Sequence, residues 1–156
     1  MDLDTPWEFI TDEVMGGVSQ GSLLATKIDG LAAMRLKGLV SLENNGGFIQ
    51  MAFKINKNGT IFDASCFSAI ELDVLGNDEN YDLRLRTARL SRPWQSYRAN
   101  FFARARHETV HIPFSNFCPH KTERPFEPNL LLRIGVLAIG RSFEADISLS
   151  AVRLVR

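Results

Sequence analysis

The chain lacks the features that announce an activity. Net charge is missing: 18 Lys and Arg cancel 18 Asp and Glu across 156 residues. No overall field therefore draws the chain to nucleic acid or to an anionic membrane. Cysteine is scarce, with only Cys66 and Cys118 and no CxxC pair. A disulfide scaffold is excluded, and reduced, buried or half-buried thiols are expected. No apolar run reaches the length of a bilayer span, so direct membrane insertion is not expected. The opening Met1-Asp2-Leu3-Asp4-Thr5-Pro6-Trp7 is acidic. It has neither the basic start and apolar run of a secretory signal nor the Arg-rich character of a transit peptide, and the expected location is cytoplasmic. No repeat, low-complexity stretch, paired-carboxylate site or cofactor motif is legible.

What is present is a globular composition, 45% hydrophobic and 23% charged, sized for a single domain over residues 1–156. Period-two alternation dominates. Ile49, Met51, Phe53 and Ile55 oppose Gln50, Ala52 and Lys54, and Leu83, Leu85 and Thr87 oppose Asp82, Arg84 and Arg86. Ile70, Leu72 and Val74 oppose Glu71 and Asp73, and Phe143 to Leu149 alternates in the same way. Each run suits a strand with one buried and one wetter face. Turn signals at Asp29-Gly30, Asn45-Gly46-Gly47, Asn58-Gly59 and Gly76-Asn77-Asp78 separate them. Strands are expected near 7–10, 23–28, 31–40, 47–55, 68–75, 80–88, 95–104, 108–113, 132–139 and 143–155. Short helical turns are expected near Phe62–Ser65 and Phe114–Phe117, and a long loop over 119–130. Many short antiparallel strands at this length predict an all-β sandwich or jelly roll.

Two catalytic patterns occur. Gly17-Val18-Ser19-Gln20-Gly21 matches the nucleophile elbow G-x-S-x-G. That device needs a strand before the serine and a helix after it. Here the order is reversed, and a glycine-rich connection is the better reading. His107-Glu108-Thr109-Val110-His111 matches H-E-x-x-H, the basis of a zinc-dependent hydrolase reading through His107, Glu108 and His111. On a helix both imidazoles would reach one ion. On a strand four residues span about 13 Å, too far for a shared metal. Thr109, Val110 and Ile112 are β-branched and Pro113 would stop a helix, so the segment reads as a strand and no metal is assigned. Glu71 and Asp73 are expected to pair with Arg84 and Arg86 across adjacent strands.

Charge is nevertheless uneven. Asp2, Asp4, Glu8, Asp12 and Glu13 precede any basic residue, while Arg84, Arg86, Arg89, Arg92, Arg98, Arg104 and Arg106 run with no acid from Arg84 onward among them. Such a stretch is either a solvated face paired with acidic segments or a surface for an acidic partner or phosphate.

One constellation is more specific. Trp7 is followed by Asp12-Glu13-Val14-Met15-Gly16-Gly17-Val18-Ser19, then Leu42-Glu43-Asn44-Asn45-Gly46-Gly47-Phe48, then Tyr81 to Arg86, Trp94 and Tyr97. Val110 to Phe117, Ile134 to Leu137 and Phe143 to Leu149 complete it. In this order the chain resembles the complex I intermediate-associated protein 30 family from about Trp7 to Val155. The resemblance implies a galactose-binding-like jelly-roll β-sandwich of two antiparallel sheets. It also implies a non-catalytic assembly or scaffolding factor whose protein partners are subunits of a membrane respiratory complex, with the chain peripheral to that complex. In its start the chain is similar to the shorter bacterial members.

The glycines of the motif are expected to permit close connections, Asn44 and Asn45 to satisfy loop backbone, and Glu43 to accept hydrogen bonds from the Met15–Ser19 loop. Asp12 or Asp146 is a candidate oxygen ligand for a structural cation. A recognition surface built there would use Trp7, Phe48, Trp94 and Tyr97 as aromatic anchors. Glu43, Asn44, Asn45, Arg84, Arg86 and Arg98 would supply directed polar contacts. A carbohydrate or small-ligand binding domain would use the same residue types, and a sugar ligand is the alternative.

Overall fold

Alternating apolar side chains build two layers of strands in the computed structural model, which describes residues 1–156. Eleven strands form in chain order: β1 (Glu8–Thr11), β2 (Gln20–Ile28), β3 (Leu31–Val40), β4 (Phe48–Lys54), β5 (Ala69–Leu75), β6 (Glu79–Thr87), β7 (Ser96–Ala103), β8 (Glu108–Pro113), β9 (Cys118–His120), β10 (Leu131–Ile139) and β11 (Phe143–Val155). One sheet has six strands, β1-β4-β10-β6-β7-β9, and the other five, β2-β3-β11-β5-β8. All pairings are antiparallel, and most neighbours are distant in sequence, as in a jelly roll.

The expected alternation sets which face is buried. Ile49, Met51 and Phe53 of β4, Ile134 and Val136 of β10, and Leu83 and Leu85 of β6 point inward. They meet Ile70, Leu72, Val74, Ile147 and Leu149 from the facing sheet in one core cluster of 28 buried residues. The opposite positions of the six-stranded sheet carry Phe48, Gln50, Arg133, Gly135, Asp82, Arg84, Arg86, Arg98 and Asn100 outward.

The structure corrects several expectations at the ends of elements. Residues 118–120 form the short strand β9 inside the stretch read as loop, because His120 and Cys118 pair with Ser96 and Arg98 at the sheet edge. Phe126 of the same stretch is not a surface residue but packs its ring against Tyr97, Phe114 and Phe117. No helical turn forms at Phe62–Ser65. Phe62 bridges Leu131 instead, while Phe114–Asn116 does form a 3-10 turn. Both cysteines are exposed rather than buried.

Glu71 and Asp73 do not pair with Arg84 and Arg86, which lie in the other sheet. Their partners come from their own sheet. Arg153 of β11 donates to both oxygens of Asp73 at 2.7 Å, and Thr109 of β8 adds a bond of 2.7 Å. Arg153 is also 3.6 Å from Glu71, which accepts from His111 at 3.0 Å. This pairing, mainly the Arg153 bonds, lowers the Asp73 carboxyl to about 2. A carboxyl held below its unfolded value contributes stability above pH 4, and that contribution is lost as pH falls through 4 toward 2. Asp73→Asn is therefore expected to cost about 2 kcal/mol at pH 7. Urea unfolding across pH should show the wild-type advantage shrink toward zero near pH 2, and a pH-independent difference would exclude this origin.

Candidate functional site

The glycine-rich motifs wrap one buried carboxylate. Asp12 opens a 3-10 turn (Asp12–Met15) directly after β1 and is 0% exposed. Its Oδ1 accepts from the Ser19 backbone N–H at 3.0 Å. Its Oδ2 accepts from the Ser19 hydroxyl and the Gly47 N–H, both at 2.6 Å, and from the Phe48 N–H at 3.2 Å. The Ser19 hydroxyl in turn accepts from the Ser41 N–H at 2.8 Å. Two connections, β1–β2 and β3–β4, together with the first residue of β4, are thus pinned to one side chain. Burial alone would raise the Asp12 carboxyl, but the bonds from Ser19, Gly47 and Phe48 outweigh it and hold the group below the usual carboxylate range.

This geometry explains the paired glycines. A Cβ on Gly17 would stand 2.4 Å from Asp12 Cγ, and one on Gly46 2.4 Å from Asp12 Oδ2. Only glycine leaves room for the carboxylate on both sides. Asp12, not Glu43, ties the two motifs together, because Glu43 lies in an exposed 3-10 turn while Asp12 is enclosed. Asn44 and Asn45 both adopt φ 57, a left-handed conformation that asparagine tolerates, and this is the use the turn makes of them. Neither candidate for a structural cation is free to ligate. Asp12 is occupied by N–H and O–H donors, and Asp146 is held by Arg35 through bonds of 2.8 and 2.6 Å.

The pinned loops form one end of a groove across the outer face of the six-stranded sheet. Two adjoining hollows of about 320 Å³ each share Arg84, His120, Ile139 and Gly140. Met15, Gly46, Gly47 and Phe48 close one end; Gln50, Gly135 and Leu137 line the strands between; Arg86, Arg133 and Trp94 stand at the other end. A volume of this order suits a few residues of a ligand chain. Gly135 leaves the groove open, since a Cβ there would meet the Gln50 side chain at 2.5 Å.

The β6–β7 connection carries Trp94 to the groove, and two side chains hold it. Arg86 donates through one guanidinium nitrogen to the carbonyls of Arg92 at 2.9 Å, Pro93 at 3.2 Å and Gln95. Gln95 accepts from the Ser91 and Arg92 N–H groups at 3.1 and 3.0 Å and donates to the Lys121 carbonyl at 3.2 Å. Trp94 itself remains 62% exposed, an indole presented to solvent by a fixed loop.

The polar floor is asymmetric in charge. Asp82 is 1% exposed and accepts from Arg84 at 3.0 and 2.9 Å, from Arg98 at 3.4 Å and from Asn100 at 3.2 Å. Burial lowers the Arg84 and Arg86 guanidiniums from their usual range, and Arg133 lowers Arg86 further. Burial also lowers His120, with Arg84 and Arg98 adding to it, so its neutral form is favoured.

Five of the ten residues expected at a recognition surface meet in this groove: Phe48, Arg84, Arg86, Trp94 and Arg98. Tyr97 does not. It faces inward, is fully buried, and donates its hydroxyl to the Pro125 carbonyl at 3.0 Å. Trp7 also turns to the core, its ring edge-on to Phe53 at 4.7 Å. Glu43, Asn44 and Asn45 sit in the exposed turn behind Gly46. The groove also takes in Gln50, Asp82, His120 and Arg133; alternation places Asp82 and Arg84 outward, and His120 is legible only as a candidate third ligand for a zinc ion, but strand order, which brings β4, β10 and β6 together, is not visible locally.

The H-E-x-x-H segment lies at β8, as its β-branched residues require. His107 precedes the strand, with its ring nitrogens 3.2 Å from Asp29 and 3.0 Å from Ser150, whereas His111 meets Glu71 on another strand. The two imidazoles have separate partners and do not converge. Ser19 belongs to the Asp12 cluster, between a 3-10 turn and a strand rather than between a strand and a helix.

The two-sheet jelly roll is a fold found in carbohydrate-binding modules. The fold superposes on a family 11 carbohydrate-binding module of a cellulosomal cellulase of Clostridium thermocellum with a TM-score of 0.78 and 11% identity, over 96% of this chain and 86% of that one. A second structure of the Clostridium thermocellum family 11 module, in complex with a β-1,3-1,4-mixed-linked tetrasaccharide, matches with a TM-score of 0.78 at 11% identity, over 99% and 94% of the two chains. A family 30 module of another Clostridium thermocellum cellulase matches with a TM-score of 0.66 at 14% identity, over 88% and 89%. A comparison with curated protein sequences finds no match. The chain belongs to the complex I intermediate-associated protein 30 family, whose model matches residues 2–149.

Asp12→Asn offers one acceptor oxygen and turns an NH₂ toward N–H donors, so it is expected to destabilise the fold by about 3 kcal/mol. Denaturant unfolding measures this. A loss below about 0.5 kcal/mol would mean the two loops do not depend on the carboxylate.

Proposed function

We propose that this protein is a non-catalytic binding module that holds a protein partner in the groove of its six-stranded sheet and acts as an assembly or scaffolding factor for a larger complex. Family membership supports the assembly role. The observation that carries the binding role is the exposed Trp94, fixed by Arg86 and Gln95 beside a row of outward guanidiniums. An indole and arginines that are both presented and immobilised are the residue types from which binding hot spots are made. His107, His111 and Ser19 are engaged in structural hydrogen bonds, which supports a role of holding rather than transforming. The family description makes subunits of a respiratory membrane complex the first partners to seek, with this chain at the periphery; no helix here is long and apolar enough to cross a membrane.

The second reading, a carbohydrate ligand, is supported by the likeness to carbohydrate-binding modules and by the same Trp94 face. The two separate in one design. Tagged protein incubated with detergent-solubilised native membranes should capture a defined set of subunits. Gly135→Ile, which fills the groove without a left-handed backbone demand, should abolish capture while leaving thermal unfolding within a few degrees of wild type. Equal capture by both forms would remove the groove from the binding site. Saturable quenching of tryptophan fluorescence by a mixed-linkage glucan, lost in Trp94→Ala, would instead establish the sugar reading.

A further inference from the structure

The two outer faces of the sandwich treat their cations differently. On the five-stranded sheet both arginines, though not Lys37, have a carboxylate: Arg35 lies 2.6 Å from Asp146, and Arg153 2.7 Å from Asp73. On the six-stranded sheet the lone floor carboxylate, Asp82, serves both Arg84 and Arg98. Beyond them, Lys54 of β4, Arg133 of β10 and Arg86 of β6 stand in register across three neighbouring strands. None of the three has an acidic group within ion-pair distance. Like charges directly opposite one another destabilise a sheet. Arg86 is half-buried and its hydrogen bonds go to neutral carbonyls of the Trp94 loop, so its charge is uncompensated. Burial is the main reason the Arg86 guanidinium is lowered, and the neighbouring Arg133 charge lowers it further.

We propose that the Arg86–Arg133 end of the groove is a subsite for the carboxylate side chains of an acidic peptide segment of the partner. The inference rests on the groove being the partner site. A planar guanidinium matches a carboxylate in two parallel hydrogen bonds, and register-paired arginines on adjacent strands present two such forks a strand spacing apart. Trp94, lining the same end, supplies the apolar contact for the peptide's intervening residues. A long polyanion fits less well. At the far end of the groove the turns carrying Met15 and Gly46 also carry the exposed acids Glu13 and Glu43, and the chain as a whole has no net charge. A peptide with its acids clustered at one end avoids that repulsion.

The probe is a fluorescein-labelled decapeptide with three glutamates alternating with alanine at one end and an uncharged Ser/Ala remainder, followed by anisotropy at low and physiological salt. Saturable binding is expected, with affinity falling about tenfold or more in Arg133→Glu and in physiological salt. Lys37→Glu, on the other sheet, makes the same change in net charge and should alter affinity less than about twofold. Thermal unfolding of each variant separates misfolding from lost contact, and Arg133→Gln, which keeps length without charge, should give an intermediate affinity. Absence of saturable binding, equal weakening by Lys37→Glu, or tighter binding of a labelled oligothymidylate would overturn the subsite. So would displacement of the peptide by inorganic phosphate at matched charge concentration. Subunits captured from membranes by the wild type and retained by Arg133→Glu would refute the subsite while leaving the groove reading intact. Loss of capture in Gly135→Ile but retention of peptide binding would place the acid site and the partner groove apart.

Discussion

The fold's functional end depends on a single buried carboxylate. Asp12 takes hydrogen bonds from the Ser19 backbone and hydroxyl and from the Gly47 and Phe48 backbone, and so joins two connections that the sheets alone would leave independent. A buried charge is costly unless fully hydrogen-bonded. Here the four donors are held by glycine-rich loops that no other residue would allow so close. The same loops carry Met15, Gly46, Gly47 and Phe48, one wall of the groove. The direct contacts of these glycine-rich motifs are therefore structural, and what they add is the position of the groove wall.

Arginine holds the other end. Arg86 fixes the Trp94 loop by capping carbonyls, and Asp82 gathers Arg84 and Arg98 on the groove floor. The two ends solve opposite problems. At one, a negative group is satisfied by neutral N–H and O–H donors. At the other, positive groups are satisfied by carbonyls, or left with none but one another. The jelly roll is common to proteins of many roles, so role is carried by this distribution of charge and aromatic surface rather than by the fold.

Much of this was legible in the chain. Period two in Ile49–Ile55, Ile70–Val74 and Leu83–Thr87 set the strands and their inner faces, since alternation directly encodes which side is dry. The β-branched run after His107 correctly removed the helix that a zinc site needs. What was not legible was contact between distant segments. Arg133 and Arg86 are neighbours only because β10 inserts between β4 and β6, an order no local pattern expresses. Tyr97 and Trp94 are both aromatics near one turn, yet one is core and the other solvent-facing. Parity along β7 decides Tyr97, whereas Trp94 lies beyond the strand. Asp12 looked like one acid in an acidic stretch, because a hydrogen-bond hub leaves its trace in the glycines around it and not in its own identity. Glu43 was credited with that role for its place in the motif, but burial assigns it to Asp12.

The most direct test of the groove as the working surface is hydrogen–deuterium exchange of the chain alone and with a protein partner isolated by capture. Protection is expected in β6, β7, β10 and residues 92–95, with β2, β3, β5 and β8 unchanged. Protection confined to the five-stranded sheet would contradict the account.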